Sequence, residues 1–160
     1  MDLFKYTAHE LHEKLVNKEI TAVELTNAVY DRIAAVDEQV NAYISLSKEE
    51  ALAKAAEVDA KIAAGEAIAP LAGIPVVFKD NINIYGQVTS CASKMLQGVE
   101  TVFDAHVTEE LRKEDAVFLG KANMAEFSIG NTTDNSFNGA VHNPWNLNCT
   151  TGGCATAAAV

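Results

Sequence analysis

Apolar residues recur at helical spacing through the first third of the chain and at strand spacing further on. Three capping-box patterns, in which a Ser or Thr precedes a Glu by three positions, open predicted helices after Thr7, Thr21 and Ser47. The second helix carries an apolar stripe that we expect to pack on the domain's own core, with a partner surface as the alternative: Leu25, Val29, Ile33 and Val36. The third helix is Ala-rich over residues 48–64, and Gly65 ends it.

Short β-prone runs alternate with these helices. The run 41–46 places Ala42, Ile44 and Leu46 on one face, the run 74–78 is apolar throughout, and the run 116–119 is ended by Gly120. A helix over 105–114 lies between the last two runs, and a short helical turn over 123–127 follows them. Helix followed by strand, twice over, favours crossover connections. The pattern therefore predicts an α/β fold with a mixed sheet flanked by helices.

Composition supports one modest globular domain. The chain has 160 residues, of which 49% are hydrophobic and 21% are charged. No apolar run approaches the length of a membrane span, and no signal peptide is apparent, so we expect no membrane association. Three cysteines are too few for a disulfide framework, which predicts a reducing compartment and a cytoplasmic location. The net charge of −10 disfavours direct binding to a polyanion.

Lys79 is the clearest candidate for a reactive side chain. It ends the apolar run that begins at Ile74, and Asp80 follows it directly. Burial disfavours the charged form of a lysine and lowers its pKa, which makes Lys79 a candidate base. The alternative is a lysine that pairs with Asp80 or reaches solvent at the strand end.

Six separated segments, in order, resemble those of the amidase signature family: Leu71–Pro75, Lys79–Ile82, Thr89–Leu96, Gly120–Met124, Glu126–Phe127 and Asn143–Leu147. Within that family the likeness is to the A subunits of amidotransferases that act on glutamyl-tRNA(Gln) or aspartyl-tRNA(Asn). The resemblance implies that residues 1–160 are the N-terminal portion of an amidase domain, with a sheet that is incomplete. It divides them into a helical part (1–64), a lysine strand with a substrate loop (70–147) and an altered Gly/Ser loop (148–160).

The resemblance also implies a Ser–Ser–Lys relay. In such a relay the lysine, here Lys79, deprotonates a bridging serine held by a cis peptide bond, and a second serine attacks the amide. Cys154 stands at the bridging position, followed by Ala155, and the second serine is expected beyond Val160. We therefore expect no normal amidase turnover from this chain alone. A thiol at position 154 is far more acidic than a hydroxyl, and it could form a thiolate–ammonium pair with Lys79.

The loop 128–136 is rich in Gly, Asn, Ser and Thr, and the resemblance implies that it lies against the substrate. The residues that carry this role are Gly130, Asn131, Thr132 and Thr133. A metal site is a weaker alternative, and it would share Cys154 with the relay. Cys149 and Cys154, with His142 and Cys91, could supply four ligands, but their spacing does not fit the common structural zinc patterns.

The function implied by the resemblance is glutamine hydrolysis that supplies ammonia for converting glutamyl-tRNA(Gln) to glutaminyl-tRNA(Gln). The implied partners are the B and C subunits of a heterotrimer, with the tRNA held mainly by the B subunit. No phosphate-binding glycine loop is present, so we expect no cofactor in this chain and place ATP and Mg²⁺ on the partner subunit. The alternatives are another hydrolase of the same family, acting on a small amide, or a truncated non-catalytic remnant that serves as an interaction module.

Overall fold

The computed structural model describes residues 3–155 and Ala157. Short 3-10 turns cover Leu3–Lys5, Lys94–Leu96 and Glu126–Ser128. The helices and strands of the described residues are, in chain order, α1 (Ala8–Val16), α2 (Ala22–Val40), β1 (Tyr43–Leu46), α3 (Lys48–Ala63), β2 (Pro75–Lys79), α4 (His106–Lys113) and β3 (Val117–Ala122). The α/β class predicted from the sequence is confirmed.

The chain forms two compact units. The first takes in the chain up to Ala35, together with Ser47–Val76 and Glu109–Leu119. The second takes in Val36–Leu46, Val77–Thr108 and the chain from Gly120 onward.

In the first unit, the helices converge on the segment that leads into β2. A Cβ added at Gly73 would lie 3.0 Å from Ala22 Cβ, 3.2 Å from Leu15 Cδ1 and 3.3 Å from Val58 Cγ1, so side chains of α1, α2 and α3 pack against the backbone there. Leu25 and Ile33 of the predicted stripe on α2 are buried, which confirms core packing for these two residues, whereas Val29 and Val36 are half-buried.

Two of the three predicted capping boxes are present. At Thr7 and at Thr21 the hydroxyl accepts the N–H of the Glu three residues later, and that Glu carboxylate accepts the N–H of the Thr. The third prediction was wrong, because Ser47 makes no side-chain capping hydrogen bond to α3. The backbone of Ser47 has a ψ of 51° and its N–H donates to Leu119 O, so the residue does not adopt the extended conformation that aims a cap at the helix.

The three strands form one mixed sheet in the order β1-β3-β2. β1 runs antiparallel to β3, with Tyr43 opposite Ala122 and Leu46 opposite Gly120. A register irregularity between Tyr43 and Ser45 breaks the predicted alternation, and Leu46 is 47% exposed. β2 and β3 run parallel, since Val117 N–H donates to Ile74 O at the start of the strands and Asp80 N–H donates to Ala122 O at their end.

Gly120 was predicted to end the last strand, but it lies inside β3. Its φ is 143°, and a Cβ at this position would lie 2.1 Å from Ser45 O, in the backbone of β1. The glycine is there because the two backbones approach too closely for any side chain. β3 consequently extends to Ala122 and carries Lys121 into the interior of the second unit.

Asn123 joins the loops of the second unit to its core. It was predicted to begin a helical turn, but it is fully buried, and the turn lies at Glu126–Ser128 instead. Its Nδ2 donates to Asn41 O (3.1 Å) and to Gly139 O (3.0 Å), and its Oδ1 accepts the Ser136 hydroxyl (2.7 Å). Every polar atom of a buried amide is costly to leave unpaired, so this set of bonds fixes the course of the loop after β3.

Among the described residues, none of the helices combines the length and the apolar character needed to cross a membrane.

Replacing Gly120 with Ala is expected to lower the free energy of unfolding by about 3 kcal/mol, because the new Cβ would collide with Ser45 O and the φ of 143° suits only glycine. The matched control is Gly65→Ala, where a Cβ would meet nothing within 4 Å among the described residues and the cost is backbone strain alone, about 1 kcal/mol. Urea unfolding of both variants measures the difference. Equal losses would show that β1 does not constrain position 120.

Candidate active site

Lys79 ends β2, is half-buried, and donates hydrogen bonds to two side chains from distant parts of the chain. Its Nζ lies 3.0 Å from Ser128 Oγ and 3.4 Å from Cys154 Sγ. The two side chains singled out as catalytic in the sequence, Lys79 and Cys154, are therefore in direct contact although 75 residues separate them. Their catalytic roles stay predictions, but the geometry places a potential base against a potential nucleophile.

Ser128 is a member of this site that sequence reasoning did not single out. Its Oγ accepts from Lys79 Nζ and also from Asn81 Nδ2, at 3.3 Å. Ser128 and the preceding Phe127 have φ values of 63° and 51°, in the left-handed region. This tight turn directs the hydroxyl back toward the end of β2. The position of Ser128 at the start of a polar loop was the only sequence signal for it. Nothing in the distance along the chain between Ser128 and Lys79 indicated that they are in contact.

Asp80, which follows Lys79, pairs with Lys121 rather than with Lys79. Its Oδ1 lies 3.5 Å from Lys121 Nζ, and both side chains are 1% exposed. Its Oδ2 accepts the Ser90 hydroxyl (2.5 Å), the Ser90 N–H (3.1 Å) and the Ala92 N–H (3.3 Å). The alternative of a Lys79–Asp80 pair was wrong, because successive side chains of an extended chain point to opposite sides.

Lys121 is the most deeply placed cation of this site, and in the sequence it stood out only as part of a longer motif. Its Nζ donates to Ile82 O (2.6 Å) and to Thr89 Oγ1 (3.0 Å). Burial lowers the pKa of Lys121, and the Asp80 carboxylate opposes that shift. The pair holds the segment after β2 against β3, so it fixes the strand end from which Lys79 projects.

Cys91 connects this buried pair to the turn that carries Ser128. Its N–H donates to Asp80 O (3.1 Å) and its carbonyl accepts the Phe127 N–H (3.0 Å). It was predicted to be a small buried packing residue, yet it is only half-buried and has a φ of 52°. Burial raises the pKa of the Cys91 thiol, and the nearby Asp80 carboxylate adds to the shift. Its contribution is therefore made mainly through its backbone.

The predicted substrate loop is anchored at several points. Asn135 Nδ2 donates to Ile129 O (2.8 Å), and the Thr133 hydroxyl, 3% exposed, accepts the Val141 N–H (2.7 Å). The Thr132 hydroxyl donates to the Asp134 carboxylate. Gly130 and Asn131 are exposed. Thr133 thus serves the structure of the loop, and contact of the loop with a substrate stays a prediction.

The altered Gly/Ser loop reaches Lys79 through Cys154. The Cys154 carbonyl accepts the Ala125 N–H (3.2 Å), next to the turn that bears Ser128. Gly152 and Gly153 have φ values of 73° and 76° and are exposed. The described backbone contains no cis peptide bond, so the cis bond implied by the resemblance is not found at Cys154. As for the metal alternative, the described part of the chain brings no group of three or more His, Cys, Asp or Glu side chains together to hold an ion.

Comparison with known proteins shows which family the chain belongs to. The sequence model of the family described as Amidase matches residues 24–160. The chain belongs to the amidase family. This amidase chain is 50% identical over 160 residues to the A subunit of the glutamyl-tRNA(Gln) amidotransferase of Clostridium botulinum (strain Loch Maree / Type A3). It is 48% identical over 162 residues to the protein of the same name from Desulforamulus reducens.

Solved structures of amidases share the fold. The peptide amidase of Stenotrophomonas maltophilia superposes with a TM-score of 0.88 at 33% identity, over 98% of this chain and 33% of that enzyme. The Clostridium and Desulforamulus matches each cover 100% of this chain and 33% of the relative. The amidase chain therefore spans about one third of the length of the curated relatives that it matches.

Replacing Asp80 with Asn is expected to lower the free energy of unfolding by about 3–5 kcal/mol, because it leaves the Lys121 charge buried without a counter-charge. The matched control is Asp115→Asn, which removes an ion pair to Lys54 and Lys61, both more than a third exposed. That change is expected to cost about 1 kcal/mol or less. Denaturant unfolding at neutral pH tests the contrast, and similar losses for the two variants would contradict it.

The stability of the amidase chain is also expected to depend on pH through Lys121. Because its pKa is lowered on folding, the unfolded chain binds this proton more tightly than the folded chain does. Between the lowered pKa and the ordinary value of 10.5, stability should therefore rise with pH. The measurement is the difference in unfolding free energy between the wild type and Lys121→Met across alkaline pH. A difference that stays flat would exclude a shifted Lys121.

Proposed function

We propose that this chain supplies the lysine base of the glutamine-hydrolysing site in an A subunit of glutamyl-tRNA(Gln) amidotransferase. The observation that carries the proposal is the contact of Lys79 Nζ with Ser128 Oγ and Cys154 Sγ, at the end of β2. A neutral lysine placed this way can take a proton from a hydroxyl or thiol within hydrogen-bond reach. The 50% identity to the Clostridium protein supports the assignment of substrate.

The proposed reaction is amide hydrolysis through an acyl-enzyme. Lys79 accepts the proton of the group at position 154, which in turn deprotonates a serine supplied by the part of the subunit that follows this chain in its relatives. That serine attacks the side-chain amide carbon of glutamine, and the proton held by Lys79 returns through position 154 to the amide nitrogen. The C–N bond breaks, ammonia leaves, and water releases glutamate from the acylated serine. The ammonia would then convert glutamyl-tRNA(Gln) to glutaminyl-tRNA(Gln).

The partners proposed for this reaction are the B and C subunits. The B subunit would hold most of the tRNA and would bind ATP and Mg²⁺. The charge of this chain supports that division, because 22 acidic residues against 12 basic ones give it a net charge of −10. Phosphate backbones are bound by clustered Lys and Arg, so a chain of this charge is better suited to the amide substrate than to the tRNA.

A cysteine at position 154, in place of the bridging serine, affects proton transfer through the relay. A thiol gives up its proton much more readily than a serine hydroxyl does. If the proton passes to Lys79 and remains there, the lysine has no lone pair left to act as a base for the next residue. We therefore propose that residues 79 and 154 of this chain do not turn over glutamine as they stand.

The test is a chimera in which residues 1–147 replace the matching third of the Clostridium protein, expressed with that organism's B and C subunits. The chimera takes its Gly/Ser loop and downstream serine from the relative, so it should release glutamate from glutamine and form glutaminyl-tRNA(Gln). Lys79→Met in the chimera should lower the glutaminase rate by about 10²–10⁴-fold, the usual contribution of a general base.

The matched control is Lys113→Met, since Lys113 is an exposed surface lysine on α4 and its loss should leave the rate unchanged. A chimera that assembles with the B and C subunits but hydrolyses no glutamine would contradict the proposal. Activity on small amides and none on glutamine would assign the chain to another hydrolase of the family. Assembly with the B and C subunits without activity on any amide would favour a non-catalytic remnant that serves as an interaction module.

A further inference from the structure

Three reactive side chains meet at the end of β2, and their order is that of a nucleophile, a base and a group that orients the base. Cys154 Sγ accepts from Lys79 Nζ at 3.4 Å, and Lys79 Nζ also donates to Ser128 Oγ at 3.0 Å. Asn81 Nδ2 fixes the Ser128 hydroxyl from a second direction, at 3.3 Å. A nucleophile within reach of a base that a third group holds is the arrangement common to enzymes that form acyl intermediates.

Because a thiol can attack a carbonyl directly, this arrangement does not need the second serine of a Ser–Ser–Lys relay. A relay through a hydroxyl requires that Lys79 be neutral when the substrate arrives. A thiol nucleophile has the opposite requirement, because its reactive form is the thiolate, and an adjacent ammonium group stabilises that form. Transfer of the thiol proton to the lysine, which would stop a serine relay, therefore leaves a cysteine in its reactive form.

We propose that Cys154 is itself a nucleophile, with Lys79 as its base and Ser128 as the positioning residue of Lys79. Its substrate would be an activated acyl compound, an ester with a phenolate leaving group or a thioester. The inference goes beyond the proposed function and does not rest on it, because every group that it uses lies within the described residues. Glutamine hydrolysis in the chimera tests one proposal and acyl transfer to Cys154 in the chain itself tests the other.

The acylation step conserves atoms and charge. The thiol proton moves from Cys154 Sγ to Lys79 Nζ, and the thiolate forms an S–C bond to the carbonyl carbon of the ester. The C–O bond to the phenol breaks and its electron pair leaves with the phenolate, which gives a thioester on Cys154. Water then adds to the thioester carbonyl and the C–S bond breaks. Lys79 returns its proton to the sulfur, the carboxylic acid leaves, and the remaining proton of the water passes to the solvent. No oxidant, metal ion or cofactor enters the balance.

The other two cysteines provide references inside the same molecule. Cys91 is half-buried and its thiol pKa is raised by burial and by Asp80, so its reaction at neutral pH should be slow. Cys149 is exposed and represents an ordinary surface thiol. Cys154 is half-buried, so part of the residue is exposed, and the neighbouring Gly152 and Gly153 are exposed as well.

The experiment uses the full 160-residue chain with p-nitrophenyl acetate. Release of p-nitrophenolate gives the rate, and mass spectrometry of the peptides locates the acetyl group. Acetylation of Cys154 is expected to be about 10-fold or more faster than that of Cys149, and Lys79→Met should slow it by about 10²-fold by removing the base. Because Cys149 reacts in the same tube, the comparison does not depend on the concentration of folded protein.

Four variants complete the test. Cys149→Ala should leave acetylation of Cys154 unchanged, whereas Cys154→Ser should abolish the fast phase, since a hydroxyl is a weaker nucleophile. Ser128→Ala should slow the reaction about 3–10-fold, the worth of one hydrogen bond. Its conservative control, Ser128→Thr, keeps the hydroxyl that accepts from Lys79 Nζ and should retain the wild-type rate.

Acetylation of Cys149 as fast as that of Cys154 would overturn the proposal. So would an unchanged rate at Cys154 in a Lys79→Met variant whose circular dichroism spectrum matches that of the wild type. If Ser128→Thr lowered the rate as much as Ser128→Ala, Ser128 would be a packing residue and its assigned role would be withdrawn.

Discussion

The ion pair between Asp80 and Lys121 is the interaction on which the geometry of the site depends. Removing two charges from water costs several kcal/mol for each ion, and only their mutual attraction and additional hydrogen bonds offset that cost. Here the additional bonds go to Ser90 and Ala92 on one side and to Ile82 and Thr89 on the other. The pair therefore ties the end of β2 and the segment after it to β3. With Asp80 fixed inward, Lys79 is left on the opposite side of the strand, where Ser128 and Cys154 lie.

The same short distances support two kinds of chemistry that exclude one another. A lysine that has taken a proton from Cys154 stabilises a thiolate and favours direct attack by sulfur. A lysine that remains neutral favours a relay to a group further along the chain. Which of them operates depends on one atom, the oxygen or sulfur at position 154, and not on any rearrangement of the backbone. In this view the fold provides the contact between Lys79 and the side chain at position 154, and the choice of oxygen or sulfur in that side chain selects the reaction.

Local signals predicted the helices well, because their causes lie within a few residues. The capping boxes at Thr7 and Thr21 are formed by side chains three positions apart, and the sequence contains all that they need. Prediction failed where the cause is remote. Gly120 looks like a strand end until the backbone of β1 is placed against it. Ser47 follows the capping pattern, but its backbone is bonded to Leu119, 72 positions away in the chain.

In the site, too, residues with a local or family signal were predicted and residues placed by distant contacts were not. Lys79 was found because it ends an apolar run, and Cys154 because of the family resemblance. Ser128 and Lys121 were missed for physical reasons: a left-handed turn aims the Ser128 hydroxyl at a residue 49 positions away, and lysine is among the residues least often fully buried. No local pattern signals a lysine that a distant carboxylate holds in the interior.

The pair of exposed glycines beside Cys154 bears on which molecules the site can tell apart. A pocket discriminates between substrates by surrounding them, and one missing or added methylene changes binding by only about 1–3 kcal/mol even where the fit is close. Among the described residues, a Cβ added at Gly152 or Gly153 would meet nothing within 4 Å beyond its chain neighbours, so these two positions contribute no side-chain wall to such a fit. On this side of the thiol, discrimination by acyl-chain length would therefore be weak, and the reactivity of the leaving group would matter more.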